Sequence, residues 1–192
     1  MGREFELKYA ANGDVFEKIM AVFGDFSTIS METAYFDTLE GTLSRKHITL
    51  RQRLENGRPV CTIKTPGDGF GRGEWDVESQ WSEEVCQVLF AMAGLDPISA
   101  QNLQQVCGAA FTRRAKTLYL PQCTLEIALD EGRLLGGGRE IPLREVELEL
   151  KSGSEKALLE WAEEFARQYQ LTPEARSKFR RAMDLSKGEN HG

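Results

Sequence analysis

Apolar and polar residues alternate along much of this chain, and the alternation sets out its elements. Residues 3–10 read as a strand, with Phe5, Leu7 and Tyr9 on one face and Glu4, Glu6 and Lys8 on the other. Further strands are expected at 31–38, 46–55, 58–65, about 72–81, about 108–118, 121–130 and about 139–151. Glu55-Asn56-Gly57 supplies a hairpin turn between two of them, and Gly136-Gly137-Gly138 supplies another turn. Helical spacing appears at Val15 to Phe23, behind the turn and cap Asn12-Gly13-Asp14. Ser82-Glu83-Glu84 opens a second helix, and a short one follows Asp96-Pro97. Ser154 to Tyr169 is amphipathic, with Leu158, Trp161, Ala162 and Phe165 on one face. Pro173 opens a final helix through Leu185. Many antiparallel strands with few helices predict an α+β fold built on a closed sheet.

Composition narrows this picture. At 192 residues the chain fits one domain, expected over 1–186 with a flexible tail at 187–192. A net charge of -6 argues against general nucleic-acid binding but leaves room for a small anion held by local charge. The cysteines at 61, 86, 107 and 123 form no CxxC pair, and only His47 and His191 could join them. That argues against zinc and for buried, reduced thiols. With no signal peptide and no apolar run long enough to span a bilayer, the sequence reads as cytoplasmic and free of membrane.

The charged faces carry the chemistry. Glu145, Glu147, Glu149 and Lys151 share a face, as do Glu126, Ala128 and Asp130. Arg51 pairs with Arg53, and Thr62 with Lys64. Any one of these strands could be an ordinary sheet with a solvated face. The set is better explained by helices covering the apolar faces from outside, which turns the charge inward. Enclosed charge is costly unless paired, wet or bound to something. Clustered carboxylates suit a hard cation such as Mg²⁺ or Mn²⁺, and clustered Arg and Lys suit phosphate oxygens. Together they describe a metal–polyphosphate site.

The motifs resemble those of the CYTH superfamily, the triphosphate tunnel metalloenzymes. Glu4-Phe5-Glu6-Leu7-Lys8 matches its ExExK signature, and others follow in order: Tyr35-Phe36-Asp37-Thr38, Leu50-Arg51-Gln52-Arg53, Thr62-Ile63-Lys64 and Arg72-Gly73-Glu74. Arg113-Arg114 sits at the family's basic strand, with Arg113 the favoured inward residue. The acidic strands match residues 125–132 and 145–149, and Ser177-Lys178-Phe179 resembles the C-terminal SKY-type element with Phe for Tyr. The resemblance implies a closed eight-stranded antiparallel β-barrel, a triphosphate tunnel with helices packed outside. It implies that Glu4, Glu6, Glu147 and Glu149 hold metal. It implies that Lys8, Arg51, Arg53, Lys64, Arg113 and Lys178 grip the triphosphate. Glu126 and Asp130 would complete a metal shell or position water, and Glu74 and Glu145 would pair with cations.

The expected activity is metal-dependent hydrolysis of inorganic triphosphate to pyrophosphate and phosphate, with Glu4, Glu6, Lys8, Glu126 and Asp130 at its centre. Other possibilities are a thiamine or nucleoside triphosphatase, a class IV-type adenylate cyclase, or a non-catalytic polyphosphate-binding module. The expected partner is a small-molecule triphosphate. Gly67-Asp68-Gly69-Phe70-Gly71-Arg72-Gly73 lacks the P-loop Lys-Ser/Thr and reads as a mobile hairpin connection. Trp75 and Trp81 read as core or rim, and His47 as incidental. Arg181 lies one turn from Lys178, at the tunnel mouth or on a solvated helix end.

Overall fold

The computed structural model describes residues 2–67 and 71–188. The side chain of Arg72, residues 68–70 of the glycine-rich connection and the tail at 189–192 lie outside the described residues. Nine strands form one antiparallel sheet: β1 (Gly2–Ala10), β2 (Ser27–Asp37), β3 (Thr49–Glu55), β4 (Arg58–Thr65), β5 (Gly71–Val77), β6 (Gln104–Tyr119), β7 (Cys123–Gly136), β8 (Arg139–Gly153) and the two-residue β9 (Thr172–Pro173). Their order is β5-β4-β3-β2-β6-β7-β8-β1-β9, and β1 pairs with β5 as well as with β8. The helices are α1 (Val15–Phe23), α2 (Thr42–Arg45), α3 (Glu83–Met92), α4 (Glu155–Gln168) and α5 (Lys178–Lys187). None among the described residues is long and apolar enough to cross a membrane.

Period-two alternation decides which face each residue takes. Phe5, Tyr9, Leu125, Ile127, Val146 and Leu148 pack on one side of β1, β7 and β8, against Phe16 and Ile19 of α1 and Leu158, Ala162 and Phe165 of α4. Leu50, Cys61 and Ile63 of β3 and β4 are covered by Val85, Cys86, Leu89 and Phe90 of α3. Trp75 packs against this cluster, and Trp81 stacks on Phe36 with centroids 4.1 Å apart. All four cysteines are buried and free. Burial pushes the thiols of Cys61 and Cys86 up to about 11 and that of Cys107 to about 12, so they stay protonated and unreactive at neutral pH.

Two expectations need correction. Residues 46–48 are not strand: Asp37 caps the short α2 instead, accepting from the N–H groups of Thr38, Leu43 and Ser44 at 2.8–2.9 Å. Nor does Pro173 open the last helix. It pairs with Tyr9 in β9, an edge position that asks no N–H of it, and Ser177 caps α5 by accepting from Arg180 N at 3.1 Å. The helix then runs on through Lys187, with Gly188 as its left-handed cap.

The third difference matters most for the site. α1, α3 and α4 cover the outer, apolar face, whereas α5 lies on the opposite, inner face and not outside as expected of the helices. Its Ala182 joins a cluster with Met31, Tyr35, Phe111, Leu134 and Leu143, all inward by parity. The glycines at the β7–β8 turn allow this close approach. A Cβ on Gly136 would lie 2.2 Å from the Ala182 carbonyl oxygen, and one on Gly137, at φ 57°, would lie 2.9 Å from that of Ser186. Gly136→Ala is therefore expected to lower stability by about 1–3 kcal/mol, a fall in Tm of at least about 2 °C. An unchanged thermal midpoint would contradict the docking of α5.

Candidate functional site

The inner face encloses a cavity of about 370 Å³, and each of the eight long strands contributes side chains to its wall. Glu4 and Glu6 enter from β1, Arg51 and Arg53 from β3, Lys64 from β4 and Glu74 from β5. Arg113 enters from β6, Glu126 from β7, Glu147 and Glu149 from β8, and Lys178 from the first turn of α5. Lys8 and Asp130 stand just behind this wall. Arg114 takes the opposite face and pairs with Glu131 at 3.3 Å.

Three charge clusters organise the wall. In the first, Lys64 Nζ donates to both oxygens of Glu4 at 2.7 and 2.6 Å and lies 3.3 Å from Glu74. Arg51 reaches the same Glu74 at 3.4 Å. In the second, strand register sets Glu6 opposite Glu149 and Glu149 opposite Glu126, a row of three carboxylates across β1, β8 and β7. Lys8 reaches Glu6 at 3.0 Å, and Lys151 reaches Glu149 at 2.8 Å and Glu126 at 3.6 Å. Three acids thus face two cations. Burial, assisted by the charges of Glu4 and Glu126 and opposed by Lys151, holds the Glu149 carboxyl above its usual range.

The third cluster is balanced. Arg113 donates twice to Asp130, at 2.8 and 2.7 Å, and also to Glu147. Lys178 Nζ lies 2.7 Å from Asp130 and from Glu147 and bonds Glu145, which Arg181 also bonds. Three acids meet three cations. Burial alone would raise the Glu147 carboxyl, but Lys178 and Arg113 outweigh it and hold it well below its usual range. Burial likewise opposes the charge on Lys178, yet Asp130, Glu147 and Glu145 together raise its pKa.

The donor sets indicate what each part can hold. Oxygens of Asp130, Glu145 and Glu147 all lie within 4.8 Å of one another, which is metal-like geometry. The Lys178 ammonium, however, already sits among them. The row Glu6–Glu149–Glu126, with Glu4 beside it, is short of positive charge and fits a hard divalent cation better. Across the cavity Arg51 pairs with Glu74 and Arg53 with Glu55, each through a terminal nitrogen. Their Nε groups, like those of Arg144 and Arg181, are buried without a hydrogen-bond partner among the described residues. Burial, with the like charge of Arg51 next, pulls the Arg53 pKa down. Buried N–H groups of this kind require an acceptor, and a phosphate oxygen is the acceptor arginine suits best.

The inner face also presents Lys151 and Asp76, to which the sequence reading gave no role. Lys151 follows Glu145, Glu147 and Glu149 at the same parity, and Asp76 follows Glu74, so the alternation held the signal for both. Asp76 accepts from Thr62 Oγ1 at 2.6 Å. Arg181 is at the inner face, on Glu145, rather than on a solvated helix end.

Comparison with known proteins agrees with this geometry. The chain is 25% identical over 173 residues to the inorganic triphosphatase of Haemophilus influenzae (strain ATCC 51907 / DSM 11121 / KW20 / Rd), an alignment covering 85% of this chain and 49% of that protein. It therefore spans about half the length of that relative. Among solved structures, the PH1819 protein from Pyrococcus horikoshii OT3 shares the fold with a TM-score of 0.66 at 23% identity, over 95% of this chain and 99% of the other. HpAC1 from Hippeastrum, for which a dominant triphosphatase activity is described, superposes with a TM-score of 0.67 at 15% identity, over 99% and 97%. The CYTH domain model matches residues 2–183, nearly the whole chain. The protein belongs to the CYTH domain family.

Proposed function

We propose that this chain hydrolyses inorganic triphosphate to pyrophosphate and phosphate with the help of a divalent metal ion, Mg²⁺ or Mn²⁺. The observation that carries the reading is one cavity with unmet demands on its two sides: guanidinium Nε groups at Arg51 and Arg53 that have no acceptor among the described residues, and an under-compensated carboxylate row at Glu6, Glu149 and Glu126. A metal-bound polyphosphate supplies what each side lacks. The 25% identity to an inorganic triphosphatase supports this substrate over its organic counterparts. We read the pairing of β1 with both β8 and β5 as closing the eight long strands into a barrel, which makes the cavity a tunnel through a single domain.

In this reading Lys8, Arg51, Arg53, Lys64, Arg113 and Lys178 hold the phosphoryl oxygens in line and neutralise the charge that develops on the leaving pyrophosphate. Glu4, Glu6 and Glu149 would hold the metal, joined by Glu147 once the phosphate draws Lys178 and Arg113 onto its own oxygens, and the metal when bound would add Lewis-acid polarisation of the phosphate oxygens. Glu126, beside Glu149, orients the attacking water. Asp130 grips Arg113 through two hydrogen bonds and fixes the guanidinium plane. Enclosure by the strands and α5 limits bulk water, which strengthens each of these interactions. The site needs no Ser or Cys nucleophile.

The first test is a phosphate-release panel of inorganic triphosphate, ATP and thiamine triphosphate, each with Mg²⁺ and with Mn²⁺. Inorganic triphosphate is expected to turn over fastest. Micromolar binding of all three with no turnover would replace the enzyme by a binding module. The second test is Glu6→Gln, expected to cut turnover by about a hundredfold or more with the thermal midpoint retained. Unchanged turnover would remove Glu6 from the site.

A further inference from the structure

The outer side of α5 carries positive charge that the main cavity does not use. Lys178 and Arg181 point inward to Glu145. Arg180, Met183 and Lys187 follow one another at three and seven residues and so occupy the other face of the helix. There they line a second cavity of about 220 Å³ together with Arg176 and with His47 from the segment before β3. No carboxylate lines it among the described residues. Arg176 is tied to Glu174 at 3.2 Å and Arg180 to Asp184 at 2.9 Å, whereas His47 and Lys187 have no acidic partner among the described residues.

Two further features bear on this cavity. His47 holds a left-handed backbone, φ 56°, which is uncommon for a residue with a side chain, and its N–H donates to the Ser44 carbonyl at 3.0 Å. Thr49, Ser177 and Phe179 line both this cavity and the main one, so the two adjoin at the first turn of α5. The positive end of that 10-residue helix adds to the field of the side chains.

We propose that the second cavity is an accessory phosphoryl site. It takes the end of a linear condensed phosphate longer than the three phosphoryl units of the main cavity. The proposal rests on the reading of the main cavity as a triphosphate site. A chain already held by three phosphoryl groups presents its next group at high effective concentration, so even exposed, salt-screened cations add affinity. Orthophosphate alone gains no such advantage and binds weakly.

Calorimetric titrations in EDTA, where metal-dependent turnover is blocked, test this with tripolyphosphate, tetrapolyphosphate and orthophosphate. In the unaltered chain tetrapolyphosphate is expected to bind about tenfold more tightly than tripolyphosphate. The combined variant His47→Gln, Arg180→Gln, Lys187→Gln is expected to lose that preference while tripolyphosphate affinity stays within about twofold. Lys187→Glu alone, at an exposed position that tolerates change, is expected to reduce the preference. Equal preference in all three proteins overturns the proposal. So does a site that binds orthophosphate through these residues without favouring the longer chain. If tripolyphosphate itself fails to bind, the main-cavity reading fails. The accessory site then stands only if tetrapolyphosphate still binds in a manner the three substitutions abolish, and an absence of binding overturns it too.

Discussion

Everything at this site depends on charge held away from water. A carboxylate or ammonium buried in a protein costs several kcal/mol unless a counter-charge or hydrogen bonds replace its solvation. Here the strands turn acids and bases onto one inner face, so each must find compensation across the cavity. Asp130, Glu145 and Glu147 find it fully in Arg113, Lys178 and Arg181. That cluster also fastens α5 to β6, β7 and β8, and with it the end of the cavity that Met31, Phe111, Leu134 and Leu143 fill. The rest of the wall is compensated only in part. Glu4 borrows Lys64, the row of Glu6, Glu149 and Glu126 shares two lysines, and Arg51 and Arg53, paired with Glu74 and Glu55, keep Nε groups without a partner among the described residues. One portion is neutral without a ligand and also anchors α5, and the other is poised for a ligand carrying both signs of charge.

Much of this was legible in the sequence because a strand has a period of two. The same parity that set Glu4, Glu6 and Lys8 on one face set Phe5 and Tyr9 against α1 and α4. Strand-by-strand parity gave the inner face for β3, β4, β7 and β8, and it held Lys151 and Asp76 as well. The unequal signal lies in pairings between strands. Nothing local says that Glu6 will face Glu149 and that Glu149 will face Glu126, or that Lys64 will choose Glu4. Those follow from register, which is a property of the whole sheet.

The ends of elements and the placement of α5 were the least legible parts. Asp37, within a recognisable motif, is a fully buried cap whose four acceptor contacts turn 42–45 into a helix. Pro173 carries a helix-start signal but is claimed by the edge of the sheet. α5 has apolar spacing suited to any covering helix, and only the glycines at 136 and 137 hint that a backbone must come close there. A basic helix that uses one face for the main cavity and the other for a second also looks, in sequence, like an ordinary solvated helix.

The central claim is that cations that would bind phosphate, Lys64 on Glu4 above all, partly neutralise the metal-binding carboxylates until a ligand arrives. Manganese affinity of Lys64→Met, measured calorimetrically without any phosphate, addresses it directly. Lys64 is the ammonium that Glu4 grips through both oxygens, so its removal frees a carboxylate beside the acidic row. The account predicts manganese binding several-fold tighter than in the unaltered chain, a coupling of about 1 kcal/mol or more, from a folded protein. Unchanged or weaker manganese binding would contradict it.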